Sequence, residues 1–279
     1  PGNEKRDPTP VAVNLEPSIA VLPFVNMSSD PEQEYFSDGI SEEILNVLVR
    51  VDGLKVASRT SSFTYKGENL DIPEIARELK VGNIVEGSVR KSGNRVRITA
   101  QLIDTRDDRH LWSDTFDREL TDIFAIQDEI AGAIASELRT RLVNLPERGN
   151  TTINMDAYEL YLKGRGLVAR RKEADLLKGI DILESAIKIE PQYAQAMATL
   201  AKAYAVLPWF SEKIPAGEAR ETARLWTEKA LELEPENPEA LAVLAIVYSE
   251  TDMNFAGARE LLERVIKSNP GSVAANNFL

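Results

Sequence analysis

Residues 84–118 read IVEGSVRKSGNRVRITAQLIDTRDDRHLWSDTFDR, and the pattern inside them decides the fold. Val96, Ile98, Ala100 and Leu102 alternate with Arg95, Arg97, Thr99 and Gln101. A period of two marks a strand with one core face and one wet face. Ser92-Gly93-Asn94 interrupts the alternation as a hairpin turn does, because Gly and Asn tolerate positive φ. Thr105 to Asp108 is a second break, and His110 to Phe116 a third short β-like run. Three antiparallel strands are predicted.

Upstream, Ser18 to Val25 (SIAVLPFV) is a short apolar run suited to a buried strand, with Pro23 marking its end or an edge. Asp30-Pro31 predicts a helix start. Tyr35, Phe36, Ile40, Ile44, Leu45 and Leu48 follow at spacings of mostly three and four, with Gly39 a candidate kink. Leu54 to Ser58 predicts a second strand and Asp71 to Lys80 a short helix. Downstream, Asp122 to Leu145 predicts a long helix with Ile123, Ile126, Ile130, Ile134, Leu138 and Leu142 on one stripe. The expected domain is therefore α/β, with a mixed five-stranded sheet in the order β-α-β-α-β-β-β-α. Two crossovers make its first three strands parallel. Residues 1–17 read as a linker, 18–146 as the α/β domain and 147–155 as a hinge.

Beyond residue 155 the strand signals stop and a repeat begins. Ala186-Ile-Lys-Ile-Glu-Pro191, Ala230-Leu-Glu-Leu-Glu-Pro235 and Val265-Ile-Lys-Ser-Asn-Pro270 are three copies of one helix ending. Ala196 to Tyr204 (AMATLAKAY) and Ala240 to Tyr248 (ALAVLAIVY) follow the first two. Small residues let paired helices approach, and proline stops the second helix of each pair. These spacings resemble the tetratricopeptide repeat. The resemblance makes residues 156–279 an all-α solenoid of about three units, with Ser272 to Leu279 opening a fourth. It departs from the family's pattern at Gly179, where Ala is usual, and in an insertion from Leu207 to Pro215.

The 279 residues carry a net charge of −12, and both halves are acidic. An acidic chain without a basic block is poorly suited to nucleic acid or to an anionic membrane surface. No run of 18 apolar residues is present, so membrane attachment is expected only through a segment upstream of residue 1. With no cysteine, thiolate chemistry and disulfides are excluded. His110 is the single histidine, which leaves no His or Cys set for a metal. The Glu42-Glu43 and Asp38-Gly39 pairs read either as acid–base candidates or as helix-start carboxylates placed for the dipole. No glycine-rich phosphate loop is found. No catalytic residue, cofactor or metal is expected.

Several positions resist a purely structural reading. Glu86 and Gly87 lie inside a strand that their propensities weaken, so a bulge, a close backbone contact, a paired carboxylate or a ligand site would account for them. Trp112 and Phe116 share a strand face, either in the core or at a partner-binding edge. Asp38, Glu86, Gly87 and Trp112 make up a candidate site in the α/β domain. Trp209 and Phe210 sit in the insertion, tucked over helix ends or offered to a partner.

The first domain also resembles a known family. SIAVLPF, DPEQEYFSDGISEEI, TSSFTYKG, residues 84–120 and DIFAIQDEI are similar to the TolB amino-terminal-like domain, in the version fused to tetratricopeptide repeats in bacterial signalling proteins. The resemblance covers about Ser18 to Leu142. It implies a parent protein carrying a class III adenylate or guanylate cyclase domain, or a winged-helix DNA-binding domain, upstream. It also implies a periplasmic location after a single transmembrane helix, with the cytoplasm as the alternative. The repeat family implies a protein or peptide partner in a concave groove lined by Gln195, Ala198, Lys202 and Val206, and by Glu239, Ala242, Ile246 and Ser249. A homodimer and a nucleotide-processing enzyme are the other readings weighed.

Overall fold

The computed structural model describes residues 17–68, 71–138, 141–142 and 153–268. Its sheet contains β1 (Ser18–Val21), β2 (Val25–Asn26), β4 (Lys55–Val56), β5 (Asn83–Ser92), β6 (Arg95–Asp104) and β7 (Arg109–Glu119). The order is β4-β1-β5-β6-β7, and β2 pairs with β5 beyond the end of β1. β1 runs parallel to β4 and β5, while β5-β6 and β6-β7 are antiparallel. The sheet is mixed, as expected, but has six strands where five were expected. Pro23 is the reason. It has no N–H to donate, so β1 stops before it, and the next amide, Phe24 N–H, donates to Ser41 Oγ at 2.8 Å. The chain rejoins the sheet as β2.

Alternation becomes burial directly. Val96, Ile98, Ala100 and Leu102 are fully buried, and Arg95 and Arg97 are exposed. Over that face lie α1 (Glu34–Leu48) and α4 (Ile123–Glu137), with Phe36, Ile40, Ile44, Ile126, Ile130 and Ile134 in the same core. Each such aliphatic side chain contributes roughly 1.5–3 kcal/mol when withdrawn from water. On the other face α3 (Ile72–Leu79) packs Ile75 and Ala76 on Ala20, Leu22 and Ile84 of the β1 and β5 region. A short α2 (Arg59–Phe63) lies between β4 and α3.

α1 is a single helix across Gly39, preceded by a 3-10 turn that Asp30 caps. α4 is shorter than the expected 122–145 and ends at Glu137. Arg141–Leu142 forms β8, which pairs antiparallel with β3 (Val51–Asp52), an unforeseen two-stranded sheet. Residues 1–16 of the 1–17 linker, most of the 147–155 hinge, Pro270 and residues 272–279 lie outside the described residues.

The rest is helical: α5 (Met155–Ala169), α6 (Glu173–Ile189), α7 (Ala194–Val206), α8 (Ala216–Leu233), α9 (Pro238–Glu250) and α10 (Phe255–Ser268). α5 pairs with α6, α7 with α8 and α9 with α10, while α7 also packs on α9. The repeated sequence gives repeated endings: Glu190 N–H returns to Ala186 O, and Glu234 N–H to Ala230 O. Gly179 has a packing reason. A Cβ there would stand 3.0 Å from Val168, and one at the facing Gly164 would stand 2.7 Å from Leu183, so α5 and α6 cross more closely than two alanines permit.

The hydrophobic core runs from the sheet into the helices without a break. Tyr158 of α5 is fully buried, with its ring 5.0 Å from Phe124 and 6.4 Å from Phe36. Its hydroxyl accepts a hydrogen bond from Gln127 Nε2 at 3.0 Å. Gly39 shows why α5 can come so close: a Cβ would stand 2.7 Å from Leu162. Glycine there seats α5 on α1; it does not kink α1.

Candidate functional site

The expected groove residues fall on α7 and α9, which pack side by side. Lys202 Nζ meets Glu239 Oε1 at 2.7 Å, and Thr199 Oγ1 donates to Glu239 Oε2 at 2.8 Å. Gln195 Nε2 donates to Glu234 Oε1 at 2.7 Å, and Asn237 Nδ2 to Glu234 Oε2 at 2.9 Å. Burial pushes the Glu239 carboxyl up, but Lys202, then Arg165 and Thr199, outweigh it and hold it below its ordinary value. Ala198, Val206, Ala242 and Ile246 are buried. Ser249 Oγ donates to Ile246 O at 3.0 Å. Of the expected groove residues, the polar Gln195, Lys202, Glu239 and Ser249 are half-buried along the α7-α9 seam, while the four apolar ones are packed inside the helix layers.

Trp209 and Phe210 follow α7 in the insertion and are 45% and 38% exposed. That insertion is pinned to the preceding helix pair by Ser211 Oγ and Lys213 Nζ, 2.8 and 3.5 Å from Glu173 Oε1. The two aromatics stand at the surface.

The four α/β positions do not converge. Asp38 lies on α1, where both carboxylate oxygens are 2.6 Å from Lys66 Nζ. Burial nevertheless raises its pKa above the ordinary value, with Lys66 opposing. Glu34 is 2.9 Å from the same ammonium, beside an open cleft of about 500 Å³ lined by Phe24, Val25 and Asn26. Glu86 and Gly87 lie in β5, opposite Gln101 and Ala100. Gly87 is explained by close contact: a Cβ would meet Thr99 O at 2.3 Å and the Phe24 ring at 2.7 Å. Trp112 is half-buried on β7, its ring 6.3 Å from Phe116.

A charged cluster joins α1 to α5. Arg165 reaches Glu42 Oε1 at 2.9 Å through one guanidinium nitrogen, and Glu43 Oε1 through the other. Arg59 reaches Glu42 Oε1 at 2.6 Å. Burial pushes the Glu42 carboxyl up, yet Arg165 and Arg59 together hold it below its ordinary value. The Tyr161 hydroxyl accepts from Arg165 at 2.9 Å. Glu42 and Glu43 are thus mid-helix ion-pair partners, not helix-start carboxylates. Sequence reading singled out neither Arg165 nor Tyr161. The available signal was an arginine on the same helical stripe as Tyr158, Tyr161 and Leu162.

Among the described residues no group of three His, Asp or Glu side chains could hold a metal, and no helix is long and apolar enough to cross a membrane.

Comparison with known proteins gives three findings. The model of the HilA/YgeH-like transcriptional regulator second domain matches residues 15–133. "Putative adenylate cyclase 3" of Rhizobium meliloti (strain 1021) is 42% identical over 203 residues, which is 72% of this chain and 34% of the relative. The chain thus spans about a third of that protein's length. Among solved structures, TolB from Acinetobacter baumannii aligns with TM-score 0.33 at 18% identity, over 44% of this chain and 28% of that one. The LpoB C-terminal domain from Salmonella enterica aligns with TM-score 0.31 at 15% identity, over 39% and 87%.

Proposed function

We propose that this chain is a non-catalytic sensory and protein-interaction region of a larger bacterial signalling protein, most consistent with a class III adenylate or guanylate cyclase. One observation carries the reading. The 203-residue match to the Rhizobium protein is longer than the sheet domain or the helical region alone, so it takes in both, and two-thirds of that relative lies elsewhere. The helical region is read as a tetratricopeptide-type solenoid whose α7-α9 seam takes a protein or peptide partner. The α/β domain relays the bound state. In this reading both lie outside the cytoplasm behind an upstream membrane anchor.

The test has two arms. Purified chain incubated with ATP or GTP and Mg²⁺ or Mn²⁺ is expected to yield no cyclic nucleotide; measurable product overturns the non-catalytic reading. A partner captured by the chain should be lost on exchanging Lys202→Glu with Glu239→Lys, which keeps the pair and reverses its field. Undiminished capture removes the seam as the binding surface.

The match to a regulator domain over residues 15–133 favours a second reading, the C-terminal region of a membrane-anchored winged-helix transcription regulator. The whole gene product discriminates the two: a cyclase domain in it supports the first reading, a winged-helix domain the second.

A further inference from the structure

The α1-α5 contact places opposed charges in a largely apolar setting. The side chains of Glu42, Glu43 and Arg165 are only 15%, 11% and 13% exposed. The Arg165 guanidinium lies 5.6 Å from the centre of the Tyr161 ring, and the same α1-α5 contact seats Leu162 on Gly39 and packs Tyr158 on Phe36. Apolar contacts alone tolerate sliding, since dispersion and the hydrophobic effect are weakly directional. A buried guanidinium shared between two carboxylates does not. Any shift of α5 along α1 strands a charge away from both water and its partner, and breaking such a pair is costly even where forming it gains little.

The cluster also has two outward connections. Arg59 ties Glu42, and with it α1, to α2 within the sheet domain. On the other side, Tyr161, whose hydroxyl accepts from Arg165, sets its ring 5.0 Å from that of Tyr193 at the start of α7. At the near end of the interface Lys91 of β5 pairs with Glu159 of α5 at 2.6 Å.

We infer that Glu42, Glu43 and Arg165 form a docking latch that fixes the helical region in one orientation against α1, so that groove and sheet move as one body. This goes beyond the proposed function and depends on no partner. It assigns a mechanical role to residues that carry no catalytic signal: displacement of the seam is delivered to α1 as a whole, without a loose joint between.

Hydrogen exchange on the full 279-residue chain tests the latch. Arg165→Met removes the bridge, and Glu42→Gln with Glu43→Gln removes the charges from the other side while keeping side-chain volume. Both variants should lower amide protection in α1 and α5 by about tenfold or more. Protection in β5-β6 and α9-α10 should stay within about twofold of the parent. Unchanged protection at α1 and α5 overturns the inference. So does a uniform loss over every element, which would mark the cluster as a contributor to global stability alone. Neither result bears on whether the seam binds a partner, so the two ideas fail separately.

Discussion

Gly87 shows how much one residue can constrain. In a strand, glycine normally costs stability, because it has no side chain to pack and more backbone entropy to lose. Here its missing Cβ makes room for Phe24, which is buried to within 1% and lies where the chain leaves β1 for β2. Gly87→Ala should therefore destabilise by about 1–3 kcal/mol, the usual cost of overpacking a core without room to yield. The reason is that one of the atoms it strikes, Thr99 O, belongs to backbone. Urea unfolding of the variant measures this, and a neutral substitution would show that β5 and β6 can part there. From sequence, Gly87 stood out as anomalous but its partner was invisible, since Phe24 is 63 residues away.

At the scale of the element, β7 is the most exposed part of the sheet. It is 11 residues long, terminal in the strand order, and contains no proline. Such an edge invites pairing with another chain. Asp114 sits against this. By register it faces Ala100, on the face that holds Trp112 opposite Leu102 and Phe116 opposite Ile98. A charge at a position where neighbours are apolar is one device that blunts an edge, and the irregularity between Leu102 and Ile103 is another. The Asp114 carboxylate also accepts the Thr115 N–H at 2.7 Å. Asp114→Val should raise the mass measured by light scattering at high concentration, through β7 pairing between copies. If mass is unchanged, the bulge alone protects the edge. Element type was readable here because the period-two alternation of β6 is local. Element limits were less so: α4 stops at Glu137 although its apolar stripe continues through Leu138 and Leu142, because residues 141–142 pair with β3.

For the whole molecule, the sheet domain and the first helix pair share one core. A chain cut at residue 153 should not give two well-behaved halves. The helical part alone would expose Tyr158 and Leu162, which are 0% and 2% exposed in the intact chain. It should bind a hydrophobic dye and lose the sharp unfolding transition expected of a packed domain. A soluble, dye-silent, cooperatively unfolding fragment of residues 153–279 would show that the interface is peripheral.

The amino-acid sequence by itself determined the long elements, the parallel-then-antiparallel sheet and the helical character of the second half, though not the short β3, β8 and α2. All of these follow from local periodicity, turn residues and helix stops, which act over a few neighbours. Only the tertiary structure decided that Pro23 splits the first strand, that Gly39 seats Leu162, and that Glu42 and Glu43 belong to Arg165. Those pairings join residues more than 120 positions apart in the chain, as Arg165 is from Glu43. Charge and size are written at each position, but which charge meets which is settled only when two apolar surfaces exclude water between α1 and α5. The alternating strands of residues 84–118 announce the sheet; the joint between sheet and helices lies in residues that no local pattern connects.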